Sequence, residues 1–205
     1  SVTKPGPYSI KILEIDLTQN TNTLETVLAR DVMGTGFERT TSMAKRNNRS
    51  GHVVIGAING DYFGISYPDS PFTFLNNPQI IKQEYVMGKT VSRSSFGINS
   101  NRKPILDILS FSGIAKAKND SVFSIKSVNQ PRGTNHLVFF SKYVGSSTKT
   151  NQYGVELKIE PIDPMAINGD IRFKVIQKVA NVGNMSLDGK YVLSGHGTAA
   201  SFINS

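Results

Sequence analysis

Residues 53–64 read Val53-Val54-Ile55-Gly56-Ala57-Ile58-Asn59-Gly60-Asp61-Tyr62-Phe63-Gly64. An apolar, β-branched run stops abruptly at Asn-Gly, and a carboxylate and two aromatics follow. Val53 to Ile58 has the length of a buried strand and is too short for a typical helix. Asn59 and Gly60 both tolerate positive φ, so the spacing predicts a turn there. Asp61, Tyr62 and Phe63 would then stand at a strand end, a common place for polar groups to meet a ligand.

Working outward, most of the chain reads as strands. Tyr8 to Leu17 alternates as a half-buried strand would, 16–23 is a polar turn, and Leu24 to Ala29 reads as a second strand. Thr40-Thr41-Ser42 can cap a short helix over Met43 to Asn47, with Gly51 closing the segment. Gly64 to Pro78 is a long loop rich in Pro, Ser, Asp and Asn, a length that favours function. Strands are expected over Gln79–Met87, Ser94–Ile98, Pro104–Ser112, Val122–Val128, Gly154–Glu160, Ile171–Val179 and Tyr191–Ser194, and His136–Phe140 is strongly apolar. Turns are expected at Lys118-Asn119-Asp120, Asn168-Gly169-Asp170 and Asp188-Gly189, and Tyr143 to Gln152 is a loop. Pro161 to Pro164 is the best candidate for a subdomain break. Gly195-His196-Gly197 leads into a short helix from Thr198. The expected fold is α+β, a mixed and mainly antiparallel sheet with few short helices, within one domain over 1–205.

Bulk composition narrows the function classes. The 205 residues are 38% hydrophobic and 19% charged, which fits a globular chain and not a disordered one. No apolar run is long enough to span a bilayer. There is no cysteine, which removes disulfides, thiolate zinc sites and cysteine nucleophiles. The formal net charge is +8, which suits anionic ligands. The densest basic cluster, Lys45-Arg46-Asn47-Asn48-Arg49, lacks the interleaved aromatics of a nucleic-acid platform and reads as a solvated helix end, so no nucleic-acid partner is expected. No Ser-centred nucleophile elbow and no Gly-Lys-Ser/Thr phosphate loop is present. His52 and His136 read as strand residues with no carboxylate or histidine at metal-ligand spacing, and nothing in the sequence calls for a metal or a cofactor.

Each candidate site residue has a functional and a structural reading. Asn59 suits donation to a phosphate or sugar hydroxyl, and equally a turn. Asp61 suits a general base, a ligand or a hydroxyl acceptor, and equally a turn cap. Asp69 is a second acidic group in the loop after Phe63 and reads as solvated. Glycoside cleavage generally needs two carboxylates across the bond. Tyr62 and Phe63 suit stacking on a sugar face, yet one of them must point inward if the segment stays extended. Arg93 suits a bidentate phosphate clamp or an exposed strand position. His196 lies between two glycines ahead of a helix, where backbone amides and an imidazole would favour an anion or supply an acid; the alternative is a turn histidine.

Several blocks together resemble the phosphodiester glycosidase family. They are Thr40-Thr41-Ser42-Met43-Ala44 before the Ala57-to-Phe63 strand end, Arg93-Ser94-Ser95-Phe96-Gly97-Ile98, Thr150-Asn151-Gln152-Tyr153-Gly154, and Val192-Leu193-Ser194-Gly195-His196-Gly197. They stand in family order and cover most of the chain from Thr40 onward. The family continues with an Arg-Thr-Ala strand and a Leu-Asp-Gly-Gly-Gly-Ser loop, which this chain lacks. The resemblance implies the N-terminal region of a hydrolase that cleaves a sugar-1-phosphodiester and releases the sugar, located outside the cell or in the periplasm. It implies Asp61 and His196 as catalytic groups and Asn59, Gly60, Tyr62, Arg93 and Gly195 as substrate contacts. It further implies a sugar phosphodiester or anionic glycan as ligand, and a second polypeptide as a source of the missing half. The rival reading is a non-catalytic module that binds a surface glycan or a protein.

Overall fold

The computed structural model describes residues 6–34, 36–62, 75–91 and 93–205. Phe63, Asp69 and most of the loop expected from Gly64 onward therefore lie outside the described residues. The fold is α+β, with few short helices and a mainly antiparallel sheet.

The centre is a six-stranded sheet ordered β5 (Ile114–Lys116), β6 (Val122–Val128), β7 (Leu137–Phe140), β10 (Tyr191–Gly195), β8 (Val155–Pro161) and β9 (Phe173–Ala180). Every neighbouring pair is antiparallel except β6 and β7. The last strand in sequence, β10, is thus inserted at the middle. Two further hairpins form sheets of their own: β1 (Gln79–Ile81) with β2 (Glu84–Met87), bridged to β6 through Gly88 and Val128, and β3 (Arg93–Ile98) with β4 (Pro104–Leu109). The helices are α1 (Thr40–Asn47) and α2 (Thr198–Asn204).

Both faces of the six-stranded sheet are covered. Side chains alternate along β10. Leu193 shares one face with Leu137, Ile159 and α2 residue Ala199. Val192 shares the other with Val138, Phe140, Val144, Met185 and Leu187. Phe139, Phe173 and Tyr191 add an aromatic cluster with centroids 5.3–6.1 Å apart, a spacing that favours edge and tilted packing. A third cluster joins Leu28, Met33, Val86, Met87 and Tyr143, tying the β1–β2 hairpin to the chain after β7.

The expected strands over 79–87 and 104–112 are corrected in detail, the second ending at Leu109. Lys82 and Gln83 adopt φ of 48° and 67° and split the first into the β1–β2 hairpin. That backbone is left-handed at both central positions, the geometry of a tight hairpin turn. The strands over Tyr8–Leu17, Leu24–Ala29 and Val53–Ile58 do not form. Those segments have no ladder partners, and Ile10, Ile12, Val53, Ile55 and Ile58 are exposed. An apolar β pattern becomes a strand only when a neighbour accepts its backbone bonds, and none of the described residues pairs with these. Neither Asn59 nor Gly60 takes positive φ. The helix start is also shifted: Arg39 is the N-cap, no side chain caps it, and Thr40, Thr41 and Ser42 lie inside α1. Pro161 closes β8, paired with Phe173, and 162–164 open the connection to β9, two strands paired along their length.

Candidate functional site

Two of the sequence blocks meet at one corner of the central sheet. Ser194 on β10 stands opposite Glu156 on β8, and Gly195 opposite Val155. Ser194 and Glu156 share the face that also carries Val192, where segments 144–150 and 183–187 close over them. Glu156 is 1% exposed. Its Oε1 accepts hydrogen bonds from Ser194 Oγ at 2.8 Å and Thr150 Oγ1 at 3.0 Å, and its Oε2 from the Met185 amide at 2.9 Å.

Arg132 completes the group. It comes from the eight-residue connection 129–136 between β6 and β7. Nη1 donates to Ser194 Oγ at 2.8 Å, and Nη2 donates to Asn151 Oδ1 at 2.8 Å, Asn151 O at 3.0 Å and Tyr153 O at 2.5 Å. Ser194 therefore accepts from a guanidinium and donates to a carboxylate, bridging two opposite charges under the surface. Burial pulls the Arg132 guanidinium below the ordinary arginine range, against the opposing pull of Glu156. Gly154 makes this possible: its φ is +144°, and a Cβ there would lie 2.3 Å from the Gly195 carbonyl oxygen and 2.7 Å from Arg132 Nη1.

On the other side of the corner, Gly195 lets α2 lie directly on β10, since a Cβ would sit 2.7 Å from the Ala199 backbone. Gly197 has φ +57° and would place a Cβ 2.1 Å from Asn135 Oδ1. That oxygen accepts the Thr198 amide at 3.0 Å. The Ala199 and Ala200 amides donate to His196 O and Gly197 O, and the His196 amide to His136 O. The expectation that amides at the start of α2 receive an anion is thereby corrected: Asn135 and the preceding carbonyls have already taken them. What remains at this corner is the half-buried His196 side chain, with Asn151 and Tyr153 of the facing loop exposed.

The other predicted residues stand elsewhere. Asp61 Oδ1 accepts from Asn77 Nδ2 at 2.6 Å and from the Tyr62 amide at 2.7 Å, so it acts as a local cap. Asn59 Nδ2 donates weakly to the Asp61 carbonyl at 3.4 Å, and Gly60 is exposed. Tyr62 is 82% exposed and does not point inward. Arg93 opens β3, opposite Leu109, and is exposed. Among the described residues, no hydrogen bond or ion pair joins Asn59, Asp61, Tyr62 or Arg93 to His196. His52 is no strand residue; its ring nitrogens lie 2.9 Å from Asn47 O and 3.3 Å from Glu25 Oε1. Among the described residues no three His, Asp or Glu side chains gather closely enough to hold a metal ion.

Sequence reasoning missed Arg132, Asn135 and Glu156. The signal for Arg132 is its place between Pro131 and Gly133, which marks a loop between two apolar runs. Glu156 gave none, because Val155-Glu156-Leu157-Lys158-Ile159 reads as a strand with its polar positions in water.

No family model matches the chain, and no curated protein matches it. Its fold is similar to that of the "Putative exported protein" of Burkholderia pseudomallei K96243, with a TM-score of 0.61 and 15% identity, over 93% of this chain and 42% of that one. It is also similar to a hypothetical protein from Synechocystis, with a TM-score of 0.61 and 14% identity, over 89% of this chain and 31% of that one. The chain thus spans less than half the length of either protein. No helix among the described residues is long and apolar enough to cross a membrane.

Proposed function

We propose that this chain is the N-terminal region of a phosphodiester glycosidase-like hydrolase that cleaves a sugar-1-phosphodiester and releases the sugar. The observation that carries the reading is the corner where Thr150–Gly154 meets Ser194–Gly197. Two stretches forty residues apart, both of which resemble that family, are held together there by the Arg132–Ser194–Glu156 bridge. A buried carboxylate linked through one serine to a half-buried guanidinium is a costly way to hold a loop in place. Such arrangements concentrate where a surface must be positioned with precision.

In this reading His196 is the group that meets substrate, donating to the phosphate or protonating the leaving oxygen. In the same reading Asp61 is the base or ligand and Asn59 and Arg93 hold phosphate or sugar, groups that no hydrogen bond joins to His196 among the described residues. Such an arrangement draws its remaining groups from the part of the longer protein that follows. The fold it shares with a protein described as exported supports a location outside the cytoplasm.

The second reading, a non-catalytic glycan-binding or protein-binding module, is favoured by one specific fact. Glu156 is saturated by three donors and buried, and Asp61 is held by Asn77 and Tyr62, so neither carboxylate stands free toward a ligand. Released reducing sugar from a panel of sugar-1-phosphodiesters, measured on the complete protein, separates the two. Hydrolysis should fall about 10²-fold or more in His196→Ala and be abolished in Asp61→Asn, with thermal stability nearly unchanged. Wild-type turnover by both variants, or sugar binding with no release, would overturn the hydrolase reading.

A further inference from the structure

Resting on the part of that reading which makes this chain a region of a longer protein, we propose that residues 8–15, residues 53–58 and the β3–β4 hairpin form a docking surface. Its occupant is strand-forming polypeptide of the same protein from outside residues 1–205. In all three pieces large apolar side chains face water: Ile12, Ile55, Ile58 and Leu106 are 87%, 70%, 74% and 78% exposed. The first two pieces have no ladder partner among the described residues. The hairpin has one ladder and two open edges, since neither β3 nor β4 pairs with a third described strand. Across it Phe96 pairs with Leu106 and Ser94 with Ile108, so Phe96, Leu106 and Ile108 stand on one face. All three are exposed. A lone two-stranded hairpin is marginal in water and gains stability from a third strand or a packed face.

The pieces are joined to one another. Leu13 lies against Gly56, where a Cβ would meet its Cδ2 at 2.9 Å. Arg102, in the turn between β3 and β4, donates to the carbonyls of Leu17 at 3.2 Å, Gln19 at 2.6 Å, Asn20 at 3.1 Å and also Asn22. The N-terminal segment is thus held to 53–58 at Leu13 and to the hairpin through 17–22. Connected apolar surface of this kind marks a place where another chain packs. Length and charge select that chain. The same fold fills 42% and 31% of two similar solved proteins, so further polypeptide accompanies it there. A second copy is disfavoured, because a net charge of +8 on each copy repels its like. Open backbone beside apolar side chains is satisfied by strand addition, in which main-chain bonds give affinity and alternate side chains cover the face. Asn59 and Asp61 follow 53–58 directly, so an added strand there also fixes their place.

The test is hydrogen exchange on the complete protein as its source makes it, read by mass spectrometry. In the 205-residue chain the amides of 53–58 have no ladder to slow them. In the complete protein the amides of 53–58, β3 and β4 should exchange at least about 10²-fold more slowly than that. Ile55→Asp and Leu106→Asp, made in the complete protein, should each lower its melting temperature by several degrees, whereas a charge placed on open surface would leave it unchanged. Immediate exchange at 53–58 in the complete protein, or unchanged melting in both variants, would overturn the inference. So would a native product of 205 residues that runs as a monomer, or as a dimer that Leu106→Asp dissociates, which would make the occupant a second copy. Protection at 53–58 with no sugar released would sink the hydrolase and keep the docking surface. Turnover with 53–58 exchanging at once would do the reverse.

Discussion

Replacing Glu156 by leucine removes the acceptor of Ser194, Thr150 and the Met185 amide at once and leaves Arg132 without its buried counter-charge. Leaving a buried polar group without its partner costs about 1–3 kcal/mol, and with three donors orphaned Glu156→Leu should lower stability by several such increments, on the order of 3 kcal/mol, in urea denaturation. Glu156→Gln keeps the size and one acceptor and should cost less. Equal stability of Glu156→Leu and wild type would show that the bridge is dispensable. At this scale the sequence was partly legible. Gly195 and His196 stand among the candidates that the sequence offers, and they lie at the corner beside Ser194. Glu156 was invisible because a strand residue with charged neighbours at every second position reads as solvent-facing. Only the cover of 144–150 and 183–187, separated from it in sequence, turns that face inward. Asp61 was chosen for its strand end, and the strand depends on a partner that the described residues do not include.

Among the elements, the β8–β9 hairpin is the best defined, with pairing from Val155 to Pro161. Its connection is tied by Arg172, which donates to both carboxylate oxygens of Asp163 at 2.7 and 2.9 Å and adds its own amide at 2.8 Å. The guanidinium holds the Asp163 carboxyl at about 2, below the ordinary aspartate value of about 3.9. A depressed folded-state value means that the contribution is complete above the unfolded value and lost as pH falls through the folded one. The urea midpoint should therefore drop between about pH 4 and pH 2, and Asp163→Asn should flatten that part of the profile. An unchanged slope in the variant would mean that the tie does not contribute. The pair is exposed, so the effect is modest. Elements with local turn chemistry were legible from sequence: Asn168-Gly169 and Asp188-Gly189 turn where expected, with left-handed φ at Asn168, Asp188 and Gly189. The Lys82-Gln83 turn was not, because neither residue advertises positive φ.

Over the whole molecule, burial is uneven. Leu137, Val138, Phe140, Val144 and Val192 are fully buried, whereas Ile10, Ile12, Val53, Ile55, Ile58, Phe96 and Leu106 are exposed. Hydrogen exchange should divide accordingly. Amides of β7, β8 and β10 should be protected for the longest times, and those of residues 8–15 and 53–61 should exchange at once. Comparable protection in both groups would contradict the uneven packing. This division explains why the α+β class was readable from local patterns while three early strands were not: periodicity reports a face to be covered, not whether a cover is present.

The place of β10 has a consequence for synthesis. The sheet order puts Tyr191–Gly195 between β7 and β8, so the central strand is the last of the six to leave the ribosome. Until it does, β7 and β8 each present an open edge of unpaired amides and carbonyls to the cytosol, the kind of edge on which nascent chains aggregate. The two halves of the sheet cannot zip together early. A ribosome stalled before residue 191 would display a protease-sensitive, chaperone-binding intermediate, and the corner that carries His196 and Tyr153 would be assembled only at the closing insertion.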